Sequence, residues 1–125
     1  RLASCHVGVM PLTDTPWTRG KCGYKLIQYM AAARPAVASP VGANVDIVQE
    51  GETGFLADSA DAWTARLRTL RDDGAMRRRM GRRARERAAA RYDVRITGPR
   101  LVDVIDDAVA RRSGRADRGM GRDET

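Results

Sequence analysis

The sequence predicts an α/β fold, in which a partial parallel sheet with crossover helices is followed by a run of further helices. Between residues 7 and 57, short apolar segments alternate with helical segments in the order strand, helix, strand, short helix, strand. Continuous apolar runs of this kind are typical of strands buried on both faces, and the alternation is typical of parallel sheets with right-handed crossovers. After residue 58 the chain turns helical.

The first strand is predicted at residues 7–12, where the run VGVMPL is apolar and Pro11 ends it. The next stretch, residues 13–23, is rich in turn formers and too irregular for a helix or a strand, so a loop is expected there. A helix is predicted over residues 24–33, and Pro35 stops it. Its apolar stripe consists of Leu26, Ile27, Met30 and Ala31.

The other sheet segments are equally short. Residues 36–38, AVA, predict a second buried strand, and a loop with a brief helix is expected over residues 41–51. A third strand is predicted at residues 53–57. Because three short strands are few for such a sheet, we expect the chain to be a fragment whose upstream part lies before Arg1.

Three helices are predicted in the second half of the chain. Ser59 is a plausible N-cap for the first, and residues 72–74 break it. Apolar residues at helical spacing mark the next two helices: Met76, Met80, Ala84 and Ala88, then Leu101, Val102, Ile105 and Val109. The expected organisation is a strand-helix-strand part at 1–58, helices of the same domain at 59–112 and a disordered tail at 113–125.

The net charge of +7 is placed unevenly along the chain. Residues 1–58 carry five basic and five acidic residues, whereas residues 59–125 carry eighteen arginines and eleven acids. Arginines crowd the segment 77–91, which raises the possibility of contact with nucleic acid or anionic lipid. No aromatic residues interleave them and no DNA-binding motif accompanies them, so nucleic acid is not expected. A solvated helical face is favoured, and peripheral membrane contact comes next.

The cysteines and the hydropathy exclude two classes of protein. Cys5 and Cys22, with His6 as the single histidine, cannot supply the four ligands of a structural zinc site. No apolar stretch approaches the roughly 18 residues that span a bilayer. A reduced cytoplasmic setting, with contact at the inner membrane face as an option, is the simplest expectation.

The loop at residues 13–23 has the placement of a ligand site, since ligands bind beyond the carboxyl ends of strands in open α/β sheets. It leads into the N-terminus of the predicted helix at Tyr24, where free N–H groups and the helix dipole attract phosphate. Gly20 and Gly23 would let the backbone approach a ligand closely. These features favour a compound that contains a diphosphate.

Polar side chains follow the same turn. Lys21 and Lys25 add positive charge for a diphosphate, and the amide of Gln28 lies where it could bond ribose hydroxyls. A capped loop with a solvated lysine explains these residues equally well.

Four further residues have simpler interpretations. A packed or edge histidine is favoured for His6, and nothing marks Cys22 as a nucleophile. Trp17 either covers the ligand or packs against the loop. A helix-capping or packing role is favoured for Asp46.

Successive motifs carry a resemblance to a known family: GYKLIQYMAAARP at residues 23–35, AVASPVG at 36–42 and DIVQEGETGFLA at 46–57. In order and spacing they resemble the C-terminal nucleotide-binding domain of the retaining, group 1 glycosyltransferases with the GT-B fold. The run RRRMGRRARER, which begins at Arg77, is similar to the C-terminal helical segment of that family. The resemblance implies a partial Rossmann-like sheet, the C-terminal half of a GT-B nucleotide-binding domain.

The activity that the resemblance implies is transfer of a hexosyl-type sugar from a nucleoside diphosphate to an acceptor, with retention at the anomeric carbon and with no metal or other cofactor. The acceptor is a sugar, a lipid or a small molecule, held by an N-terminal domain that lies outside this chain. The fragment alone is then expected to be inactive. The last helix, over residues 94–112, is expected to return toward that N-terminal domain.

The implied donor-binding residues are Gly20, Lys21, Cys22, Gly23, Tyr24, Lys25 and Gln28, and no catalytic residue is assigned. Two glutamates of the family align with Gly20 and Gln28, where they contact the donor sugar and the ribose. Gln28 retains hydrogen bonding without charge and Gly20 offers only backbone, so altered donor contacts are expected.

Two alternatives remain open at this point. One is another GT-B enzyme that acts on nucleotide sugars, such as an epimerase, whose acid and base groups would lie upstream. The other is a non-enzymatic basic module that binds nucleic acid or membranes.

Overall fold

The computed structural model describes residues 2–119. They form two compact units, the first ending at Ala90 and the second beginning at Arg91. The first unit opens with a 3-10 turn at Leu2–Ser4. Its strands are β1 (Gly8–Met10), β2 (Ala36–Ala38) and β3 (Gly54–Leu56). The helices along the chain are α1 (Pro16–Arg19), α2 (Tyr24–Ala31), α3 (Asn44–Ile47), α4 (Ala60–Asp72), α5 (Gly74–Tyr92) and α6 (Val94–Gly119).

The three strands form one parallel sheet in the order β1-β2-β3. The register places Val9 beside Val37 and Val37 beside Phe55. This confirms the α/β fold with a partial parallel sheet followed by helices. β2 has the predicted bounds, whereas β1 and β3 are shorter than the apolar runs that predicted them.

Helices cover both faces of the sheet. A Cβ at Gly8 would collide with the ring of Tyr29, so this position of β1 faces α2 across a very short distance. One position further along the strands, Val37 belongs to a buried cluster that includes Leu70 of α4 and Met80 of α5. Because successive strand residues point to opposite faces, α2 lies on one face and the α4–α5 pair on the other.

Local hydrogen bonds explain where the helices begin. The Ser59 hydroxyl accepts the N–H of Ala62 at 3.2 Å, which confirms the predicted N-cap of α4. Asp73 alone separates α4 from α5, and its carboxylate accepts the N–H of Met76 at 2.8 Å. The predicted break at residues 72–74 therefore consists of one residue whose side chain starts the next helix.

The second unit consists of the end of α5 and α6. α6 begins at Val94, as predicted for the last helix, and contains Pro99. It continues to Gly119, through residues 113–119 that the composition assigned to a disordered tail; residues 120–125 of that segment lie outside the described residues. None of the helices described is both long and apolar enough to cross a bilayer.

Candidate functional site

The carboxyl ends of β1 and β2 are joined by a buried polar connection. The N–H of Leu12 donates to Ser39 Oγ at 2.9 Å, and the N–H of Ser39 donates to the Met10 carbonyl at 3.1 Å. Asn44, which is 1% exposed, donates from Nδ2 to the Ser39 carbonyl at 3.0 Å. The loops that follow the two strands are therefore held to each other and to α3.

The loop after β1 contains α1, a short helix that the sequence pattern did not predict. Thr15 and Thr18 form a reciprocal capping box, and Pro16 occupies the first helical position. Arg19 donates to the Asp14 carboxylate at 2.6 Å, and this hydrogen bond lowers the pKa of Asp14 from its ordinary value. The loop thus has a defined local structure.

Gly23 is the N-cap of α2 and adopts a left-handed conformation with φ of 67°. A Cβ at this position would collide with Cδ1 of Ile47 and would lie 3.4 Å from Oδ1 of Asn44. The N–H of Leu26 donates to the Gly23 carbonyl at 2.9 Å. Only glycine fits here, because both the backbone angle and the contact with α3 exclude a side chain.

The first turn of α2 presents its backbone amides at this edge. Gly23 has no side chain to cap the helix, and none of the described residues caps the N–H groups of Tyr24 and Lys25. An anion at this position would meet free donors and the positive end of the helix dipole.

The seven predicted donor residues lie in the segment from Gly20, which ends α1, to Gln28 in the second turn of α2. Gly20 ends α1, where its N–H donates to the Trp17 carbonyl at 3.2 Å, and its φ of −80° needs no glycine. Tyr24 is 63% exposed. The side chains of Lys21, Cys22, Lys25 and Gln28 are also exposed. Within the described residues, no hydrogen bond or ion pair joins the side chains of these seven.

Sequence reasoning missed the residues that hold this edge together. Besides Ser39 and Asn44, Gly42 has a φ of 55°, and a Cβ there would lie 2.6 Å from the Arg19 carbonyl oxygen. Ile47, which is 4% exposed, lies directly against Gly23. A serine and a glycine directly after a buried strand were the available signal, because such residues permit close contact between loops.

The residues with simpler interpretations fall outside this network. Trp17 is 81% exposed, so the alternative that it packs against the loop is wrong. His6 is exposed just before β1, and Cys22 is an exposed free thiol. Asp46 lies in the first turn of α3, and its carbonyl accepts a hydrogen bond from Arg87 at 2.8 Å. Within the described residues, no three His, Cys, Asp or Glu side chains are grouped as metal ligands.

Comparison with known sequences gives a consistent result. The profile of the family described as "Glycosyl transferases group 1" matches residues 1–73. A D-inositol 3-phosphate glycosyltransferase of Corynebacterium glutamicum is 38% identical over 90 residues, which are 70% of this chain and 21% of that protein. Its counterpart in Corynebacterium efficiens is 43% identical over 68 residues, 53% of this chain and 16% of that protein. The chain therefore spans about a fifth of the length of these relatives.

Solved structures resemble the chain over most of its length. A sucrose-phosphate synthase from Thermosynechococcus elongatus has a TM-score of 0.77 at 26% identity, over 87% of this chain and 27% of that one. The Anabaena protein HepE, crystallised with UDP and glucose, has a TM-score of 0.75 at 19% identity. That match covers 85% of this chain and 28% of HepE, and it concerns the fold.

Proposed function

Because the chain belongs to the group 1 glycosyltransferases and has their GT-B type of α/β fold, we propose that the full-length protein transfers a sugar from a nucleoside diphosphate to an acceptor. The residues described here would form part of the site for the donor. Two relatives are D-inositol 3-phosphate glycosyltransferases, and HepE has been crystallised with UDP and with UDP-glucose, which supports a nucleotide-sugar donor.

The observation that carries the proposal is the start of α2. Gly23 holds the chain in a left-handed turn against α3, and the amides of the first helical turn have no side-chain cap among the described residues. In the proposal, these amides bind the oxygens of the diphosphate. The backbone supplies the donors, so the buried network around Ser39 and Asn44 determines their positions.

Side chains complete the proposed donor site. Lys21 and Lys25 are exposed beside these amides and would offset the charge of the diphosphate. Gln28, one turn further along α2, would form hydrogen bonds with the ribose hydroxyls, either as donor or as acceptor. Gly20 would offer only its backbone to the donor sugar, and Cys22 and Tyr24 would contribute to the wall of the site.

The proposed reaction retains the configuration at the anomeric carbon of a hexosyl group. Holding the leaving diphosphate in place and orienting the acceptor would supply most of the rate acceleration. This needs no metal or other cofactor, because the helix amides and the two lysines stabilise the charge that develops on the leaving group. The acceptor, a sugar, a lipid or a small molecule, would bind in an N-terminal domain, so the present chain alone would not turn over.

Neither alternative function is favoured by the comparisons. The matching family profile and both curated relatives are glycosyltransferases, not epimerases or nucleic-acid-binding modules. We place the reaction in the cytoplasm, where the free thiols of Cys5 and Cys22 would stay reduced. Contact with the inner membrane face is part of the proposal only if the acceptor is a lipid.

Calorimetry of the full-length protein with UDP-, GDP- and ADP-sugars tests the donor site. We expect one of these donors to bind and Lys25→Ala to weaken its binding about tenfold or more, because a charge-assisted hydrogen bond to phosphate contributes about 1.5–3 kcal/mol. Gln28→Ala should weaken it less, since a neutral hydrogen bond contributes about 1 kcal/mol.

Arg68→Ala is the matched control, because it also removes one exposed positive charge but lies on α4. It should change donor affinity by less than about twofold, as expected for a screened surface charge. Equal affinities for the parent and both site variants, or equal losses in Lys25→Ala and Arg68→Ala, would contradict the proposed site.

A further inference from the structure

A second basic feature lies at the opposite edge of the sheet, before the strands begin. A cavity of about 430 Å³ is lined by His6, which precedes β1, by Arg34 in the turn before β2, and by three arginines of α5. Those three are Arg77, Arg78 and Arg82. The candidate donor residues follow the strands instead, so a strand of three residues, roughly 10 Å, separates the two edges.

The wall of this cavity is held by a very close contact between α5 and the turn. A Cβ at Gly81 would collide with the carbonyl oxygen of Ala33 and would lie 3.5 Å from the ring of Pro35. Ala33 itself has a φ of 56°, a left-handed conformation that residues with a side chain rarely adopt. The turn and the helix are therefore packed backbone to backbone, which fixes Arg34 beside the arginines of α5.

The charges in the cavity wall are all of one sign. Four guanidinium groups line it, and no carboxylate does. Arg77 is held in place, since its NH1 group donates to the Leu70 carbonyl at 2.6 Å. Arg78 and Arg82 lie four residues apart on one face of α5, a spacing at which like charges repel each other.

Two other arginines of α5 are engaged by protein groups. Arg83 pairs with Glu52, and Arg87 donates to the carbonyls of Asp46 and Ile47. Among the residues that the structure describes, Arg78 and Arg82 take part in no ion pair or hydrogen bond with a protein group. Their guanidinium groups are thus available to an anion that enters the cavity.

We propose that this cavity binds the phosphate group of a phosphate ester, at a site separate from the donor edge. Guanidinium groups present planar, paired N–H donors that match two phosphate oxygens, which lysine does not. The volume exceeds that of inorganic phosphate and leaves room for the esterified group. An adjoining cavity of about 340 Å³ shares His6 and Arg77 and is otherwise lined mainly by apolar residues, among them Val7, Leu67 and Leu70.

The ester can come from two sources, a soluble phosphate compound or the headgroup of an anionic lipid, and the experiment separates them. In the first arm, pyrophosphate is titrated calorimetrically into the full-length protein that carries Lys21→Ala and Lys25→Ala, which weakens binding at the donor edge. The binding that remains at the α2 amides is common to all the variants compared, so it does not produce a difference between them. In the second arm, the same protein is sedimented with phosphatidylcholine vesicles with and without phosphatidic acid.

Each arm compares two double variants that remove the same charge from α5. Arg78→Gln with Arg82→Gln alters the cavity, whereas Arg79→Gln with Arg85→Gln alters exposed residues of the same helix that do not line it. At fixed ionic strength, the cavity pair should weaken binding about tenfold or more and the control pair less than about twofold, because only the former loses charge-assisted hydrogen bonds.

This pattern with pyrophosphate shows that the cavity takes the phosphate group of a soluble compound, and the pattern with phosphatidic acid vesicles alone identifies a lipid headgroup. Circular dichroism of both double variants checks that α5 remains folded. The proposal is overturned if neither probe binds, or if the cavity pair binds as tightly as the protein without it. It is also overturned if both pairs weaken binding equally, since that result describes a general attraction to positive charge.

Discussion

The two edges of the sheet are built by different means. At the carboxyl edge, glycines and buried hydrogen bonds hold backbone amides in place, and the charged side chains there are exposed and separate. At the amino edge, the polar side chains that line the cavity are His6 and four arginines on a tightly packed turn and helix. A site made of backbone is damaged most by adding an atom, whereas a site made of side chains is damaged by removing one.

Among the substitutions that test this difference between the two edges, Gly23→Ala should have the largest effect. The substitution forces a residue with a side chain into a left-handed conformation and drives its Cβ into Ile47, so we expect a loss of about 2–4 kcal/mol in the free energy of unfolding. Donor affinity should fall with it, because the first turn of α2 must move. Urea denaturation and calorimetry of the full-length protein measure the two losses.

Gly51→Ala is the control for Gly23→Ala. Gly51 also has a positive φ, 75°, but an added Cβ there meets no atom within 4 Å. Gly51→Ala should lower the free energy of unfolding by about 1–2 kcal/mol, the cost of the left-handed backbone alone, and leave donor binding unchanged. If the two substitutions destabilise the protein equally, the contact between Gly23 and α3 does not determine the geometry of this edge.

A smaller effect is expected from Asn44→Ala. The side chain is buried, and its loss leaves the Ser39 carbonyl without the donor that links the two loops, which costs about 1–3 kcal/mol. Gln49→Ala, at an exposed position after α3, should change stability by less than about 0.5 kcal/mol. Thermal unfolding of both variants measures the difference, and an Asn44→Ala protein as stable as Gln49→Ala would show that the network is dispensable.

The smallest effect is expected from the exposed ion pair at Asp14. Its pKa lies below the ordinary value because Arg19 donates to the carboxylate, just as Arg95 lowers the pKa of Asp93 to about 2. A carboxyl whose pKa is lower in the folded protein stabilises it above the pKa of the unfolded chain, roughly 4, and this contribution is lost as the pH falls through the folded value. Both side chains of the Arg19–Asp14 pair are solvent-exposed, so the loss is small.

Carboxyl NMR titration measures this directly. The midpoint of Asp14 should lie below that of an ordinary aspartate and should return to it in Arg19→Gln, whereas Arg68→Gln should leave it unchanged. An ordinary midpoint in the parent protein would show that the pair does not form in solution.

Local patterns in the sequence were sufficient for most of the fold. Strands were predicted because burial on both faces gives a continuous apolar run, as in β2, and long helices because burial of one face imposes a period, as in α4. α1 was missed because four residues carry no period and its capping box of Thr15 and Thr18 is a local signal of a different kind. The far end of α6 was missed because its composition is polar, and composition does not determine whether such a helix forms.

In the candidate site, too, features encoded locally were predicted and long-range contacts were not. Its proposed ligand-binding residues lie within nine consecutive positions, so the sequence could place them together on one turn. The contacts that hold the turn join residues far apart, such as Leu12 with Ser39 and Gly23 with Ile47, and no pattern along the chain indicates them. Likewise, the sequence predicted a solvated arginine-rich face on α5, whereas Arg87 is half-buried against α3.

The most direct test of the account is a crystal structure of the full-length protein with its nucleotide-sugar donor. The account predicts diphosphate oxygens within hydrogen-bond distance, about 2.7–3.2 Å, of the backbone N–H groups that begin α2 at Tyr24 and Lys25. A donor whose diphosphate lies elsewhere, with those N–H groups facing only water, would contradict it.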